Sequence, residues 1–135
     1  MCSSLFSDIL RNHLVEDGSD KLEAIFTQPN SPVKCAGAPQ KIMYIAWDYW
    51  KKMGVLDKIN ITFHTGMPGI FSQPDYAKVL KELCEERGIQ VCYNSDLIRL
   101  DYENNFAIFQ DVQKKYDMIH VVPPQGPLEV SIEYC

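Results

Sequence analysis

Residues 24–54 read AIFTQPNSPVKCAGAPQKIMYIAWDYWKKMG, and the order of apolar and helix-breaking residues in this stretch decides the fold class. Residues 24–27 form a short apolar run that predicts a buried strand. Two prolines among residues 28–32 forbid a regular helix there and predict an extended loop. A helix is predicted to begin near Pro39, because a proline is tolerated in the first turn, and to end at Gly54. A strand, a loop and a helix in this order are typical of an α/β domain.

The predicted first helix carries an apolar stripe that indicates its buried face. Apolar side chains recur there at three- and four-residue steps, which place them on one side of a helix. The stripe comprises Ile42, Ile45, Ala46, Tyr49 and Met53. We therefore expect these side chains to pack against the sheet.

The same order of elements continues downstream. Residues 59–64 predict a second strand, and residues 65–69 predict a loop. A second helix is expected to begin at Pro74 and to end at Gly88, and residues 89–93 predict a third short strand. The apolar stripe of this second helix comprises Tyr76, Val79, Leu80 and Leu83.

The helical period disappears after the third strand. Residues 97–102, 106–110 and 118–122 predict three more strands, and residues 103–105 predict a hairpin turn between the first two. Strands that alternate with helices of this length imply right-handed parallel crossovers. We therefore predict an α/β fold, namely a three-layer Rossmann-like domain that carries a β-meander.

The expected domain organisation has three parts. Residues 1–23 form an N-terminal segment, residues 24–127 form the Rossmann-like domain, and residues 128–135 form a C-terminal tail. A short amphipathic helix is expected in the N-terminal segment. Its apolar residues are Leu5, Ile9 and Leu14.

The composition excludes several classes of function. The chain has 135 residues, of which 46% are apolar and 23% are charged, as expected of a globular domain rather than a disordered chain. A net charge of -5 and the lack of a basic stripe argue against nucleic-acid binding. No uninterrupted apolar run approaches the roughly 18 residues of a membrane-spanning helix, so no transmembrane segment is predicted.

The cysteines and the N-terminal charges bear on the compartment. Five cysteines without a CxxC pair or zinc-ribbon spacing argue against a disulfide-stapled secreted protein and favour a reducing compartment. Residues 1–20 contain more acidic than basic side chains, so no transit peptide is evident. No metal site is predicted, because His13 lacks companion ligands.

The loop after the first strand lacks the features of a nicotinamide site. A dinucleotide-binding fold carries G-x-G-x-x-G in this loop, whereas residues 29–39 contain one glycine, three prolines and a cysteine. The second strand ends in His64-Thr65-Gly66, without the acidic residue that binds ribose hydroxyls. We therefore expect a Rossmann-type scaffold whose cofactor loop has another use.

Cys35 is the candidate for that use. It follows Lys34 and precedes the amino end of a predicted helix by a few residues, and both features favour thiolate over thiol. A thiolate attacks sulfur or a flavin, so a redox role is one interpretation. The other interpretation is a small side chain that fills a gap in the core.

Further candidate residues each have two interpretations. One interpretation of Cys84 and Cys92 is that they form a disulfide or bind a metal together. The favoured interpretation is that both pack in the core. One interpretation of His64 is a ligand or proton carrier in a cleft. The favoured interpretation is a solvated histidine on a loop. One interpretation of residues 66–69 is a loop that binds a phosphate through its backbone. The favoured interpretation is an ordinary tight turn. Aromatic residues on the first helix contact a quinone or a membrane, or they pack against another domain, which is favoured. These aromatic residues are Tyr44, Trp47, Tyr49 and Trp50.

Residues 31–44, SPVKCAGAPQKIMY, closely resemble the active-cysteine segment of the animal mitochondrial type of sulfide:quinone oxidoreductase. Residues 24–27, 60–63, 76–77 and 120–124 are also similar to that family. The resemblance extends from the first predicted strand to the end of the predicted α/β domain. It implies a fold of the FAD/NAD(P)-binding superfamily, of which this chain resembles the inner, nicotinamide-type domain.

The resemblance also implies an activity and its cofactor. The family is an FAD-dependent oxidoreductase of the mitochondrial inner membrane that oxidises hydrogen sulfide and passes electrons to ubiquinone. A sulfane-sulfur acceptor, glutathione or sulfite, removes the oxidised sulfur. By resemblance Cys35 is the redox thiol of persulfide chemistry that lies against the flavin, and Lys34 stabilises its thiolate. Val33, Lys34, Pro123 and Pro124 are expected near the flavin.

Two departures from the family pattern bear on what the chain does alone. No G-x-G-x-x-G of an FAD-binding domain and no segment like that of the second redox cysteine occur in these 135 residues. We therefore expect a fragment, a truncated form or a degenerate paralogue that does not retain FAD by itself. The alternative is a non-catalytic α/β interaction module derived from the family, so catalysis by this chain alone is left open.

Overall fold

The computed structural model describes residues 21–126. The predicted N-terminal helix, the C-terminal tail, His13 and the cysteines Cys2 and Cys135 lie outside these described residues. The described elements are β1 (Leu22–Gln28), α1 (Ala38–Lys52), β2 (Ile59–Thr65), α2 (Pro74–Glu86), β3 (Gln90–Cys92), β4 (Leu97–Asp101), β5 (Phe106–Phe109), β6 (Gln113–Lys115) and β7 (Met118–His120), with a turn of 3₁₀ helix at Leu56–Lys58 before β2.

The strands form two sheets of different kinds. The first is a parallel sheet with the order β3-β2-β1-β7, and the second is the antiparallel sheet β4-β5-β6. Phe26 of β1 is the register partner of both Phe63 in β2 and His120 in β7. All four parallel strands therefore end at one edge of the sheet, which we call the carboxyl edge.

The two faces of the parallel sheet are covered by different layers. Phe26 belongs to a core cluster with Met43 and Trp50 of α1, whereas Ile25 belongs to a cluster with Phe109 of β5. Consecutive strand residues point to opposite faces, so the helices cover one face and the meander covers the other. The predicted three-layer Rossmann-like fold with a β-meander is confirmed.

Both helices begin and end within two residues of the positions that the sequence indicates. Pro39 lies in the first turn of α1, and Gly54 follows its end with a φ of 71°. Pro74 begins α2, where the side chain of Gln73 accepts a hydrogen bond from the N–H of Tyr76. Gly88 follows the end of α2 with a φ of 67°, a conformation that glycine adopts without steric cost.

The prediction of which face of α1 is buried is wrong. Met43 and Trp50 are buried, whereas four of the five residues of the predicted stripe are exposed. The exposed four are Ile42, Ile45, Tyr49 and Met53. The aromatic residues Tyr44 and Trp47 pack against the core instead. The helix is apolar on two sides, so its period alone does not identify the side that meets the sheet.

The stripe of α2 is correct in part. Leu80 packs against the core, but Tyr76 is 62% exposed and Val79 is 60% exposed. The buried residue of this helix is Cys84.

The strand β6 is absent from the sequence prediction. All three of its residues are polar and exposed, so only its backbone pairing with β5 defines it.

Candidate functional site

Several of the candidate reactive side chains lie at the carboxyl edge of the parallel sheet. In open α/β sheets ligands bind outside the carboxyl ends of the strands, because the loops there leave crevices between them. Gln28, Thr65, Cys92 and His120 are the last residues of the four parallel strands. The loop that carries Cys35 leaves β1 at this edge.

The loop between β1 and α1 lies beside the segment that follows β7. The backbone N–H of Lys34 donates a hydrogen bond of 2.7 Å to Oε1 of Gln125. Val33 is half-buried, whereas Lys34, Pro123 and Pro124 are exposed. The structure thus brings together the two segments that hold the expected flavin-proximal residues. Their role toward a flavin stays a prediction.

Cys35 is an exposed free thiol just before α1. Its carbonyl oxygen accepts a hydrogen bond of 3.1 Å from the N–H of Ala38, the first residue of the helix. Exposure argues against the interpretation of Cys35 as a core filler. An exposed thiol on a loop is accessible to a soluble sulfur compound or to a cofactor of another domain, and its redox role stays a prediction.

A cleft of about 610 Å³ lies between the loop after β1 and the loop after β2. Val33 and Ala36, on either side of Lys34 and Cys35, contribute to its wall, and Met67 and Phe71 face them from the other loop. Gln28 and Ser31 also line it, and their side-chain oxygens are buried without a hydrogen-bond partner among the described residues. Most buried polar atoms are paired, so these two oxygens suit a bound donor or water.

Gly66 holds the two loops of the cleft at a fixed separation. Its N–H donates to the carbonyl oxygen of Gln28 over 2.9 Å. A Cβ at this position would lie 2.5 Å from the backbone nitrogen of Asn30, so only glycine fits. The N–H of Asn30 also donates to Oδ1 of Asp96 over 3.3 Å. This close backbone approach is a structural reason for glycine at position 66, and phosphate binding by residues 66–69 stays a hypothesis.

His64 is buried in β2, so the expectation of a solvated loop histidine is wrong. Its Nδ1 lies 2.8 Å from Oγ of Ser95, and its ring stacks on Phe109 with 3.9 Å between centroids. Burial, and secondarily the positive charge of Lys114, lower the pKa of His64 to about 4. His64 is therefore neutral at pH 7, and its Nε2 has no hydrogen-bond partner among the described residues.

Cys84 belongs to a hydrogen-bonded network in the helix layer, which favours the packing interpretation. The hydroxyl of Tyr44 lies 3.3 Å from the Cys84 sulfur and donates to Oε1 of Gln40 over 3.3 Å. The amide nitrogen of Gln40 donates to the carbonyl oxygen of Ile70. Burial raises the pKa of Cys84 and the pKa of Tyr44, so both groups stay protonated at neutral pH. The sequence gives no signal for this network, because Gln40 and Cys84 meet only in the fold.

Cys92 and Cys84 do not pair. Both are free thiols, and burial raises the pKa of Cys92 also. Within residues 21–126 no group of three or more metal-ligating side chains gathers. In the same range neither helix is long and apolar enough to cross a membrane.

The aromatic cluster of α1 divides between the core and the surface. Trp50 packs on Phe26 with 6.3 Å between ring centroids, and the indole N–H of Trp47 donates to the carbonyl oxygen of Arg87 over 3.0 Å. The Arg87 guanidinium also lies 4.5 Å from the centroid of the Trp47 ring. Tyr49 is 45% exposed. Packing within the domain therefore accounts for the two tryptophans.

Comparison with known proteins identifies similar sequences and a similar fold. No family model matches the chain. The chain is 42% identical over 114 residues to the mitochondrial sulfide:quinone oxidoreductase of Mus musculus and 40% identical over 111 residues to that of Dictyostelium discoideum. Each alignment covers 79% of this chain and 25% of the relative. The chain thus spans about a quarter of the length of the curated relatives it matches.

A solved structure supports the fold. The sulfide:quinone oxidoreductase of Aquifex aeolicus matches with a TM-score of 0.70 at 17% sequence identity, over 90% of this chain and 29% of that chain. An identity this low supports the fold alone. Together with the two relatives, it confirms the resemblance seen in the sequence: over this quarter-length segment, the chain is a Rossmann-like α/β domain similar to mitochondrial sulfide:quinone oxidoreductases.

Proposed function

We propose that the chain provides the Cys35-bearing domain of a flavin-dependent sulfide:quinone oxidoreductase. The observation that carries the proposal is the position of Cys35. It is an exposed thiol on the loop at the carboxyl edge, within a stretch of sequence similar to enzymes of that name. In this role the domain serves an enzyme that oxidises hydrogen sulfide and delivers the electrons to ubiquinone.

The chemistry assigned to Cys35 is that of a sulfur nucleophile. Sulfide attacks a disulfide that Cys35 forms with a second cysteine of the full enzyme. The bond formed is the persulfide on that second cysteine, and Cys35 leaves as a thiolate that carries the electron pair. Cys35 is exposed and therefore accessible to a small sulfur compound. To its sequence neighbour Lys34 we assign the role of a cation that favours the thiolate. Glutathione or sulfite then accepts the sulfane sulfur from the enzyme.

The residues present fit one part of FAD and not the rest. FAD, when bound, accepts the two electrons that sulfide oxidation releases. Residues 34–36 are exposed and Val33 is half-buried, so this loop is suited to contact a flat ring, and Pro123 and Pro124 contribute a rigid surface nearby. The start of α1 is not suited to a diphosphate, because Pro39 lacks an N–H in the first turn. The diphosphate and the adenosine therefore require another domain.

A complementation experiment tests this function. The chain is expressed with the remainder of the mouse enzyme, from which the matching quarter is deleted, and sulfide-dependent reduction of a ubiquinone analogue is measured. We expect activity that Cys35→Ser lowers on the order of a thousandfold, because removal of a covalent nucleophile eliminates the main reaction path. Cys92→Ser is the matched control and retains activity. Full activity of the Cys35→Ser protein would contradict the assignment.

The curated relatives are named mitochondrial, and we extend that location to this chain, with association to the inner membrane through the quinone. Imaging of the tagged chain together with a matrix marker tests the location.

An interaction module without catalysis is the second candidate function. The exposed apolar stripe of α1 favours it, since such a surface suits a protein partner.

A further inference from the structure

The cleft beside the Cys35 loop has an uncharged wall. Eleven of the described residues line it, and none of these eleven is an acid, a lysine, an arginine or a histidine. The carboxylate of Asp96 accepts a hydrogen bond of 3.3 Å from the N–H of the lining residue Asn30, so a negative charge lies beside the cleft. Burial of an anion there costs free energy that no lining cation offsets. The cleft therefore favours an uncharged ligand over a nucleotide or another anion.

The two walls of the cleft present apolar surface to a flat molecule. The loop after β1 contributes Pro32 and Val33, and the loop after β2 contributes Met67 and Phe71. The ring of Phe71 packs edge-on against Tyr76, with 6.2 Å between centroids and 82° between the ring planes. A thioether contacts an aromatic ring favourably, and the flexible methionine side chain adapts to the shape of a ligand. An aromatic ring therefore suits the space between the walls.

Hydrogen bonds hold the loop after β2 in place. The N–H of Met67 donates to Oγ1 of Thr65 over 3.1 Å, and its carbonyl oxygen accepts from the N–H of Asn94 over 3.1 Å. The carbonyl oxygen of Ile70 accepts from the side-chain amide of the buried Gln40. A wall that is fixed before binding loses little conformational entropy when a ligand enters. The volume of about 610 Å³ is also typical of a small-molecule site.

Two polar side chains in the wall have unpaired oxygens. Oε1 of Gln28 and Oγ of Ser31 are buried and lack a hydrogen-bond partner among residues 21–126. Both side chains line the cleft, so a change of rotamer is sufficient to bring either oxygen to a ligand. The amide oxygen of Gln28 accepts a hydrogen bond, whereas the hydroxyl of Ser31 both donates and accepts. A ligand that pairs with both residues therefore carries a donor and an acceptor.

We propose that this cleft is a binding site for an uncharged aromatic carboxamide. The ring of the ligand lies between the two loops, its amide N–H donates to Gln28, and its carbonyl oxygen accepts from the hydroxyl of Ser31. A carboxamide presents the donor and the acceptor in one planar group. Cys35 is not among the lining residues, so binding in the cleft does not depend on the redox function proposed for this thiol.

Nuclear magnetic resonance with methyl-labelled methionine tests the site on the full 135-residue chain. Benzamide is the probe. Benzoate and acetophenone share its ring, but benzoate is charged and acetophenone lacks the donor. The signal of Met67 is identified by its absence from Met67→Leu, and the buried Met43 supplies the control signal. We expect benzamide to shift the Met67 signal with a Kd of about 1 mM, and the other two probes to bind about tenfold more weakly.

Three outcomes of this titration would overturn the proposal. The first is an unchanged Met67 signal at the highest soluble concentration of benzamide. The second is an equal affinity of the three probes, because an apolar slot without polar recognition predicts that result. The third is an equal shift of the Met43 signal, which would indicate that the probe perturbs the whole domain rather than the cleft.

Two substitutions test the polar contacts separately. Ser31→Ala removes the hydroxyl, and Gln28→Met keeps the length of the side chain but removes the acceptor. We expect each to weaken benzamide binding about fivefold to tenfold. Gln28→Met should leave acetophenone binding unchanged, because that probe has no donor for Oε1.

Ser72→Ala is the matched control for these variants. Ser72 also lines the cleft, but it is exposed, so its hydroxyl is paired with water in the free protein. We expect Ser72→Ala to bind benzamide as the native chain does. Native affinity of the Ser31→Ala protein would overturn the proposal, and this loop variant decides the matter if Gln28→Met does not fold.

Discussion

Cys84 lies in α2 and Cys35 lies on the loop that leads into α1, and the surroundings of these two thiols are opposite. Cys84 is buried between α1 and α2, its sulfur lies 3.3 Å from the hydroxyl of Tyr44, and burial raises its pKa. Cys35 lies exposed on the loop before α1. The packed region around Cys84 contains Trp50 and Met43, whereas a cleft adjoins the loop of Cys35.

The difference shows how the domain separates stability from chemistry. A buried thiol packs as a small apolar group, and its neutral form is maintained by desolvation. A thiol on a loop contributes little packing and is free to react. We therefore expect substitutions in the packed region to change the free energy of unfolding, and substitutions in the loop to change reactivity alone.

Trp50→Ala should have the largest effect on the packed region. Trp50 is 2% exposed and packs on Phe26, and replacing a buried aromatic residue with alanine leaves a cavity. We expect a loss of about 4 kcal/mol in the free energy of unfolding, measured by denaturant titration. Val79→Ala, at an exposed position of α2, should change it by less than about 0.5 kcal/mol. Equal effects of the two substitutions would contradict the assignment of the core.

His64 tests whether a residue at the carboxyl edge can belong to the packed region. Its pKa in the folded state is about 4, below the value of about 6.5 for an unfolded chain. Both states are neutral above pH 6.5, so the stabilising contribution is complete there. As the pH falls from 6.5 to 4, the unfolded chain binds a proton that the folded chain does not, and stability is lost, on the order of 2–3 kcal/mol.

Comparison of the native chain with His64→Gln isolates this effect. Unfolding free energies are measured for both proteins between pH 8 and pH 4. We expect the native chain to lose more stability than the variant, with the difference developing below pH 6.5. Parallel pH profiles would show that His64 titrates as an exposed histidine.

Gly66→Ala should disturb the contact that joins the cleft to the packed sheet. A methyl group there would lie 2.5 Å from the backbone nitrogen of Asn30, and a backbone atom cannot rotate away as a side chain can. We expect a loss of about 2 kcal/mol in unfolding free energy. Gly69→Ala is the matched control, since its nearest atom would be the Phe71 carbonyl oxygen at 3.7 Å. A harmless Gly66→Ala would show that the loops separate readily.

The elements were predictable from local chemistry, but the packing of their surfaces was not. Prolines and glycines indicated where both helices begin and end, because these residues act on their own backbone. The buried face of α1 was misassigned, since Ile45 and Met43 are equally apolar and the sheet selects between them. β6 was missed because backbone pairing with β5 leaves no apolar pattern.

The candidate site was predictable only where one short segment contains it. Lys34 and Cys35 are adjacent in sequence, so their neighbourhood is visible without a structure. The hydrogen bond from Lys34 to Gln125 joins residues 91 positions apart. The burial of His64 likewise depends on Phe109 from the meander. Contacts between distant segments carry no local signal, so the cleft and the neutral histidine emerged from the fold.

Tyr44→Phe should weaken the packed region by a smaller amount. The substitution keeps the ring but removes the hydroxyl that bonds to Gln40 and contacts the Cys84 sulfur. A buried acceptor then remains unpaired, and we expect a loss of about 1 kcal/mol. Tyr102→Phe, where the ring is 76% exposed, should leave the unfolding free energy unchanged. Identical results for both tyrosines would show that the network contributes nothing.

Cys35→Ser should have the smallest effect on stability and a large effect on reactivity. The side chain is exposed, so we expect the unfolding free energy to change by less than about 0.5 kcal/mol. Pulse alkylation of the native chain at pH 8, followed by peptide mapping, measures reactivity for each thiol separately. Cys35 should react first and Cys92 more slowly. Cys84 should react only on unfolding, because burial raises its pKa and blocks access. If Cys84 reacted as fast as Cys35, burial in the packed region would not protect a thiol, and the contrast between that region and the loop would be contradicted.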